Sequence, residues 1–177
     1  MTVKNWPLLQ DEEVVNTPVF TLHRQTFLSP KDGRGKPFTI LDVPDWVQVL
    51  PITPEGQAVL VSQFRLATRE ISLELPGGVV EKGQTPLAAG QRELMEETGY
   101  QADNWRKLGA FRPNPAVQNN TAHFFVAEEA RLSGPTNFDE NEAIELVLMP
   151  LDQLKGLIRD GKIDHAIMVA AILSYFN

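Results

Sequence analysis

Val, Phe, Thr, Ile and Leu are concentrated in residues 14–29 and 37–52, and the run from Pro30 to Pro37 between them is rich in Pro, Gly and charge. Two β-prone runs about such a turn predict a hairpin. Thr53-Pro54-Glu55-Gly56 predicts a second turn, followed by a strand over Gln57–Phe64. Further along, Leu87, Ala88, Leu94 and Met95 recur at positions that one helical face can bury. Thr85 and Pro86 supply the N-cap and first residue of that helix, and Gly99 supplies the residue that closes it. Strands are expected near 105–112, 121–130 and 143–149, then helices near 151–159 and 163–176, parted by Asp160-Gly161. A β-rich half, one helix, more strands and closing helices read as an α+β fold.

The polar face of the expected central helix carries Glu93, Glu96 and Glu97 within five residues. The spacings i, i+3 and i, i+4 put all three on one side, where like charges cost a few tenths of a kcal/mol per pair. A cation held among them would turn that cost into a site. Oxygen donors with no His or Cys nearby favour Mg²⁺ or Mn²⁺ over zinc. A Glu-rich helix face by itself is usually solvated surface. The preceding Leu75-Pro76-Gly77-Gly78 changes that reading, because glycines let a backbone approach a ligand closely.

Composition narrows the field. The chain has 177 residues, 42% of them hydrophobic, enough for one globular domain with a small extension. A formal net charge of −7 argues against a general binder of nucleic acid or anionic membranes. With no cysteine there are neither disulfides nor thiolate metal sites. No apolar run approaches a membrane span, and the acidic N-terminus does not read as a signal peptide, so a cytoplasmic protein is expected.

The segment from Gly78 to Tyr100 resembles the Nudix box, whose pattern is G, five residues, E, seven residues, then R-E-U-x-E-E-x-G-U, with U aliphatic or aromatic. Gly78, Arg92, Glu93, Leu94, Glu96, Glu97, Gly99 and Tyr100 match in place, while Gln84 stands where the pattern has its first glutamate. In the family that glutamate supports the loop–helix geometry and pairs with the motif arginine. Gln84 is expected to hydrogen-bond Arg92 as a neutral partner instead. The N-terminal strands, Leu73–Gly78 and the tail Gly161–His165 look like the ADP-ribose pyrophosphatase and nucleoside diphosphate sugar hydrolase branch.

The resemblance implies a Nudix fold, an α/β/α sandwich (residues 45–177) with an N-terminal β-hairpin extension (residues 1–44) that pairs two subunits into a homodimer. It implies Mg²⁺ (or Mn²⁺) on Glu93, Glu96, Glu97 and the Gly77 carbonyl. Arg92 would fix the cluster, and Glu142, with Glu140 second, would take the proton. Arg65 and Arg69 are candidate phosphate contacts, Arg being suited to bidentate pairing. Pro115 lies near a proline of the branch, though in other contexts it would merely stiffen a loop. Gln118, Asn119 and Asn120, which donate and accept, suit a neutral polyol such as a hexose. Trp46 and Phe20 are candidates to stack on the base. His23, His123 and His165 have no acidic partner nearby in sequence and read as structural.

The implied reaction is hydrolysis of the pyrophosphate bond in a nucleotide sugar, GDP-mannose-like or ADP-ribose-like, to a nucleoside monophosphate and a sugar phosphate. A hydrolase of dinucleoside polyphosphates or nucleoside triphosphates, and a non-catalytic nucleotide-sugar sensor, are the alternatives.

Overall fold

The computed structural model describes residues 2–138 and 143–177. The chain divides into two compact units, residues 1–44 with 112–121, and residues 45–111 with 122–177.

The first unit is an antiparallel meander of β1 (Leu8–Asn16), β2 (Thr21–Leu28) and β3 (Gly35–Asp42). β2 and β3 form the expected hairpin about Ser29–Arg34. β1 is an addition that periodicity does not announce. Its sequence LLQDEEVVN is exposed along all nine residues, so no alternation of apolar and polar positions was required of it. The long apolar run 14–29 is broken at Thr17, whose hydroxyl accepts the N–H groups of Val19 and Phe20 in a tight turn. Residues 112–121 close the unit: Leu41 N–H donates to Val117 O, and Asn119 N–H donates to Leu41 O.

The second unit is built on β4 (Trp46–Ile52), β5 (Gln57–Arg65), β6 (Glu70–Glu74), β7 (Gly77–Val79), α1 (Pro86–Thr98), β8 (Tyr100–Gln101), β9 (Asn104–Phe111), β10 (Ala122–Glu128), β11 (Arg131–Leu132), β12 (Ile144–Pro150), α2 (Leu154–Arg159) and α3 (Ala166–Phe176). The main sheet runs β12-β5-β4-β10-β9, with β4 and β10 parallel and in register from Trp46↔Ala122 to Ile52↔Glu128. Strands buried on both faces need apolar residues at successive positions, and β4 is buried from Val47 through Ile52. Val47, Val49, Phe125 and Ala127 pack with Ala89 and Leu94 of α1. Leu50, Ile52, Phe124 and Val126 pack with Leu154 of α2 and Met168, Ala171 and Ile172 of α3. Helices therefore cover both faces, giving the α/β/α sandwich. α1 sits close to the sheet because Gly90 faces Val47 and Val49; an added Cβ would lie 3.2 and 3.1 Å from their methyls.

One irregularity in this sheet positions everything that follows. β4 pairs with β5 only at Ile52↔Ala58. Beyond that point the strands part, β6 pairing with Val61–Arg65 of β5 and β7 pairing with Trp46–Gln48 of β4. Leu75-Pro76 crosses the gap between β6 and β7, and Pro76 O accepts the Val49 N–H at 2.9 Å.

The ends of α1 are as the sequence indicates. Thr85 Oγ1 accepts the Ala88 N–H at 3.2 Å, Pro86 is the first helical residue, and Gly99 closes the helix with φ +73° and its N–H on Met95 O. A side chain at Gly99 would meet both the left-handed penalty and the Gly134 carbonyl. Gly99→Ala is expected to lower stability by at least ~1–2 kcal/mol, read as a reduced urea midpoint at unchanged slope.

Candidate functional site

The outward face of α1 meets the loop that crosses the split sheet. Glu97 is 3% exposed, and its Oε2 accepts the Gly77 N–H at 2.9 Å, tying loop to helix. Gly78 carries no Cβ, and one added there would run into the Glu93 carboxylate. At Gly77 a Cβ would come within 2.8 Å of Gln48 Oε1, a buried oxygen with no hydrogen-bond partner. Both glycines are thus required by close approach.

Arg92 lies between the carboxylates. Its Nη1 donates to Glu96 Oε2 at 2.7 Å, and its Nη2 donates to Glu93 Oε1 at 2.8 Å and to the Val79 carbonyl at 3.2 Å. Burial works against its charge, but the hydrogen bond to Glu96 and the fields of Glu93 and Glu96 outweigh it and raise its pKa above the usual value. The expected bond from Gln84 is not formed. Gln84 Oε1 instead accepts the Glu81 N–H at 3.4 Å while its own N–H donates to Glu81 O, closing the turn before α1. The short amide is committed to that turn, and Arg92 Nε is buried without a partner.

In this arrangement no group of three acidic or imidazole side chains among the described residues converges enough to hold an ion. Glu93 and Glu96 each turn an oxygen to Arg92, and Glu97 turns one to Gly77. The donor set nevertheless fits a hard divalent cation. Every candidate ligand is an oxygen, three carboxylates and the Gly77 carbonyl, and the missing Cβ of Gly78 leaves the Glu93 carboxylate against the backbone.

Arg65 and Glu74 share one face of the β5–β6 hairpin, Arg65 opposite Glu70 and Glu74 opposite Val61. Arg65 Nε and Nη2 donate to Glu74 Oε1 and Oε2 at 2.7 and 2.6 Å, a bidentate fork onto a carboxylate whose side chain is fully buried. His165, the residue before α3, places Nδ1 3.5 Å from Glu74 Oε2. Burial pushes the Glu74 carboxyl up, but the hydrogen bonds and charge of Arg65, with His165 close by, prevail and bring it down to about 2.

The remaining candidates fall in both units. Arg69 sits at the hairpin turn with φ +62°, its N–H on Arg65 O and its side chain exposed. Trp46 is half-buried beside Val79, next to the glycine loop, whereas Phe20 belongs to the other unit and its carbonyl accepts from Thr17. In the first unit Pro115 is exposed and Gln118 is half-buried, its N–H on Asn114 O. Asn119 commits both ends of its amide to the protein, and Asn120 its nitrogen only, leaving Oδ1 buried without a partner. Asn119 Oδ1 accepts the Val43 N–H and its Nδ2 donates to Asp42, while Asn120 Nδ2 donates to Pro44 O. Glu140 and Glu142 lie outside the described residues. Sequence reading missed the acidic partner of every histidine: Asp11 for His23, Asp45 for His123 and Glu74 for His165. It also missed Glu74, whose only sequence signal is its place in Leu73–Gly78.

Because the folded-state pKa of Glu74 lies below its ordinary 4.5, its contribution to stability is fully present above that value and is lost as pH falls toward about 2. The shift corresponds to on the order of 3 kcal/mol. Glu74→Gln is expected to flatten the stability profile between pH 4.5 and 2, measured by chemical denaturation across that range.

Residues 44–172 match the NUDIX domain family. The chain is 32% identical to the ADP-ribose pyrophosphatase of Bacillus subtilis (strain 168), covering 91% of this chain and 87% of that protein. It is 30% identical to a GDP-mannose pyrophosphatase of Yersinia enterocolitica, covering 85% of each, and 30% identical to the methanol dehydrogenase activator of Bacillus methanolicus, covering 80% and 77%. A solved ADP compounds hydrolase superposes with a TM-score of 0.87 over 99% of this chain and 94% of its own, at 21% identity, a likeness of fold. The carboxylate helix, the glycine loop it holds and these matches together make the chain a member of the NUDIX family.

Proposed function

We propose that this protein hydrolyses the pyrophosphate bond of a nucleoside diphosphate sugar, with Mg²⁺ (or Mn²⁺) as cofactor, to give a nucleoside monophosphate and a sugar phosphate. The observation that carries the reading is the Glu93, Glu96 and Glu97 face of α1, bonded through Glu97 to the Gly77 loop. The names of the relatives, an ADP-ribose pyrophosphatase and a GDP-mannose pyrophosphatase, support the substrate class.

Glu93, Glu96, Glu97 and the Gly77 carbonyl would hold the cation, which supplies charge neutralisation at the phosphate oxygens and acidifies water for attack on phosphorus. The chain's own part is geometric. The buried Glu97 fixes the Gly77 peptide against α1, so the carbonyl and the carboxylates keep one spatial relation. Arg92 balances Glu93 and Glu96 and would remain as their counter-ion when substrate phosphates arrive. Arg65, held by Glu74 yet with a side chain 45% exposed, would present a fixed cation to the pyrophosphate. Glu142, with Glu140 second, is assigned as proton acceptor on the family resemblance.

The first unit supports a dimeric arrangement. Among the described residues β1 pairs with β2 alone, and Leu8, Leu9, Val14 and Val15 on it are 41–55% exposed. An open edge with that much apolar surface needs cover, and a C2 homodimer is the commonest closed solution.

Phosphatase-coupled turnover of ADP-ribose, GDP-mannose, UDP-glucose and a dinucleoside tetraphosphate with Mg²⁺ tests the reaction. Turnover of a nucleotide sugar is expected; turnover of the tetraphosphate alone would replace the reading with the polyphosphate alternative. Glu97→Gln is expected to lower kcat ~10²-fold or more, through loss of Lewis-acid stabilisation. Near-normal turnover at saturating Mg²⁺ would remove Glu97 from the site. Light scattering at micromolar concentration is expected to give a dimer, and Leu9→Lys should shift it toward monomer; a monomeric parent would discard the arrangement.

A further inference from the structure

Among the described residues Glu74 is a carboxylate whose side chain is fully buried, and three separate elements converge on it. It ends β6, Arg65 reaches it from β5, and His165 approaches from the start of α3. Arg65 occupies both carboxylate oxygens with a planar fork, which fixes the orientation of the guanidinium as well as its place. His165 Nδ1 is buried and has no partner nearer than Glu74 Oε2 at 3.5 Å. With its proton on Nδ1 the imidazole turns an N–H toward the carboxylate, at a separation longer than a formed hydrogen bond. The next residue, Leu75, donates its N–H to Met168 Sδ of α3 at 3.4 Å, so two successive residues are anchored to the same helix. Gly77, whose N–H is bonded to Glu97, lies three residues beyond Glu74.

A buried, multiply bonded carboxylate is costly to desolvate, and replacing such a pair by apolar residues is often neutral or stabilising. Here the fork immobilises a long side chain that is still 45% exposed. Freezing an arginine before a ligand arrives removes the ordering cost at the moment of binding.

We propose that Glu74 and His165 are positioning residues for Arg65: Glu74 fixes the plane of the guanidinium presented to the substrate pyrophosphate, and His165 holds Glu74. The proposal rests on the reading of Arg65 as a phosphate contact made above. Neither residue touches substrate. Their loss should therefore appear in KM, with kcat little altered.

The test compares Arg65→Ala, Glu74→Gln, His165→Ala, His165→Asn and the double variant Arg65→Ala/Glu74→Gln, with KM and kcat measured on the preferred nucleotide sugar. The Arg65 Nε–H resonance is followed by proton–nitrogen NMR, assigned by its loss in Arg65→Ala. Arg65→Ala is expected to raise KM about tenfold or more, the loss of a charged hydrogen bond. Glu74→Gln should raise KM roughly threefold to tenfold and shift the Nε–H resonance. The double variant should match Arg65→Ala within about twofold, because residues acting as one unit are non-additive. His165→Ala should shift the same resonance and raise KM, and His165→Asn, whose amide can stand where Nδ1 does, should restore both. An unaltered KM in Arg65→Ala overturns the phosphate reading of Arg65 itself. A raised KM in Arg65→Ala with an additive double variant, or with an unmoved resonance in Glu74→Gln and His165→Ala, overturns the positioning role alone. Should Glu74→Gln fail to fold, the two His165 variants decide the matter.

Discussion

The backbone of β4 has to satisfy its hydrogen-bonding groups while its neighbour changes along its length, and the site follows from how it does so. Against β10 the strand is paired throughout; on its other side β5 leaves after a single pair and β7 takes over Trp46–Gln48. Between these two partners the Val49 N–H would be buried and unpaired, at a cost of roughly 1–3 kcal/mol, were Pro76 O not there to accept it. Proline is suited to the crossing, since the position requires an acceptor and Pro has no N–H to place. The crossing then delivers two glycines beside α1: a Cβ at Gly78 would run into the Glu93 carboxylate, and one at Gly77 would meet the Val47 carbonyl and the Gln48 side chain. Sheet geometry, loop composition and helix chemistry are one constraint seen at three levels.

Charge is handled in the same economical way. Three glutamates on one helical face repel, and Arg92 within the same helix offsets two of them by direct bonds. The third, Glu97, is nearly enclosed and takes its hydrogen bond from a backbone N–H. A little further along the sheet, the buried Glu74 is compensated by Arg65 and His165. The acidic groups near the loop thus meet fixed donors in the protein, and the site depends little on surface counter-ions, which salt would screen.

Local signals were legible in the sequence, and long-range ones were not. The α1 boundaries could be read because Thr85, Pro86 and Gly99 act on their immediate neighbours. The shared face of Glu93, Glu96 and Glu97 follows from helical spacing alone. β1 was invisible because it buries neither face, and periodicity records burial. The division of 37–52 into two strands turns on Pro44, which lies inside an otherwise continuous β-prone run. The partners of Gln84, Asn119 and the three histidines depend on which elements the fold brings together. Gln84 fits the spacing of a residue that would reach Arg92, yet its amide is taken by the turn it occupies. Asn119 has the chemistry of a sugar ligand and uses it on Val43 and Asp42. Composition states what a side chain can bond, and only packing states what it does bond.

The interleaving of the first unit bears on the order in which the chain can be assembled during synthesis. The edge of β3 is completed by Val117 and Asn119, and Val43 receives its acceptor from Asn119, a residue 76 positions later. A nascent N-terminal sheet leaving the ribosome therefore has an unpaired, water-exposed edge until residues 117–119 have been translated. Closure over so long a separation is slow relative to local hairpin formation. The N-terminal strands are made first, but their unit can be completed only after the sheet that bears the glutamate helix has largely emerged.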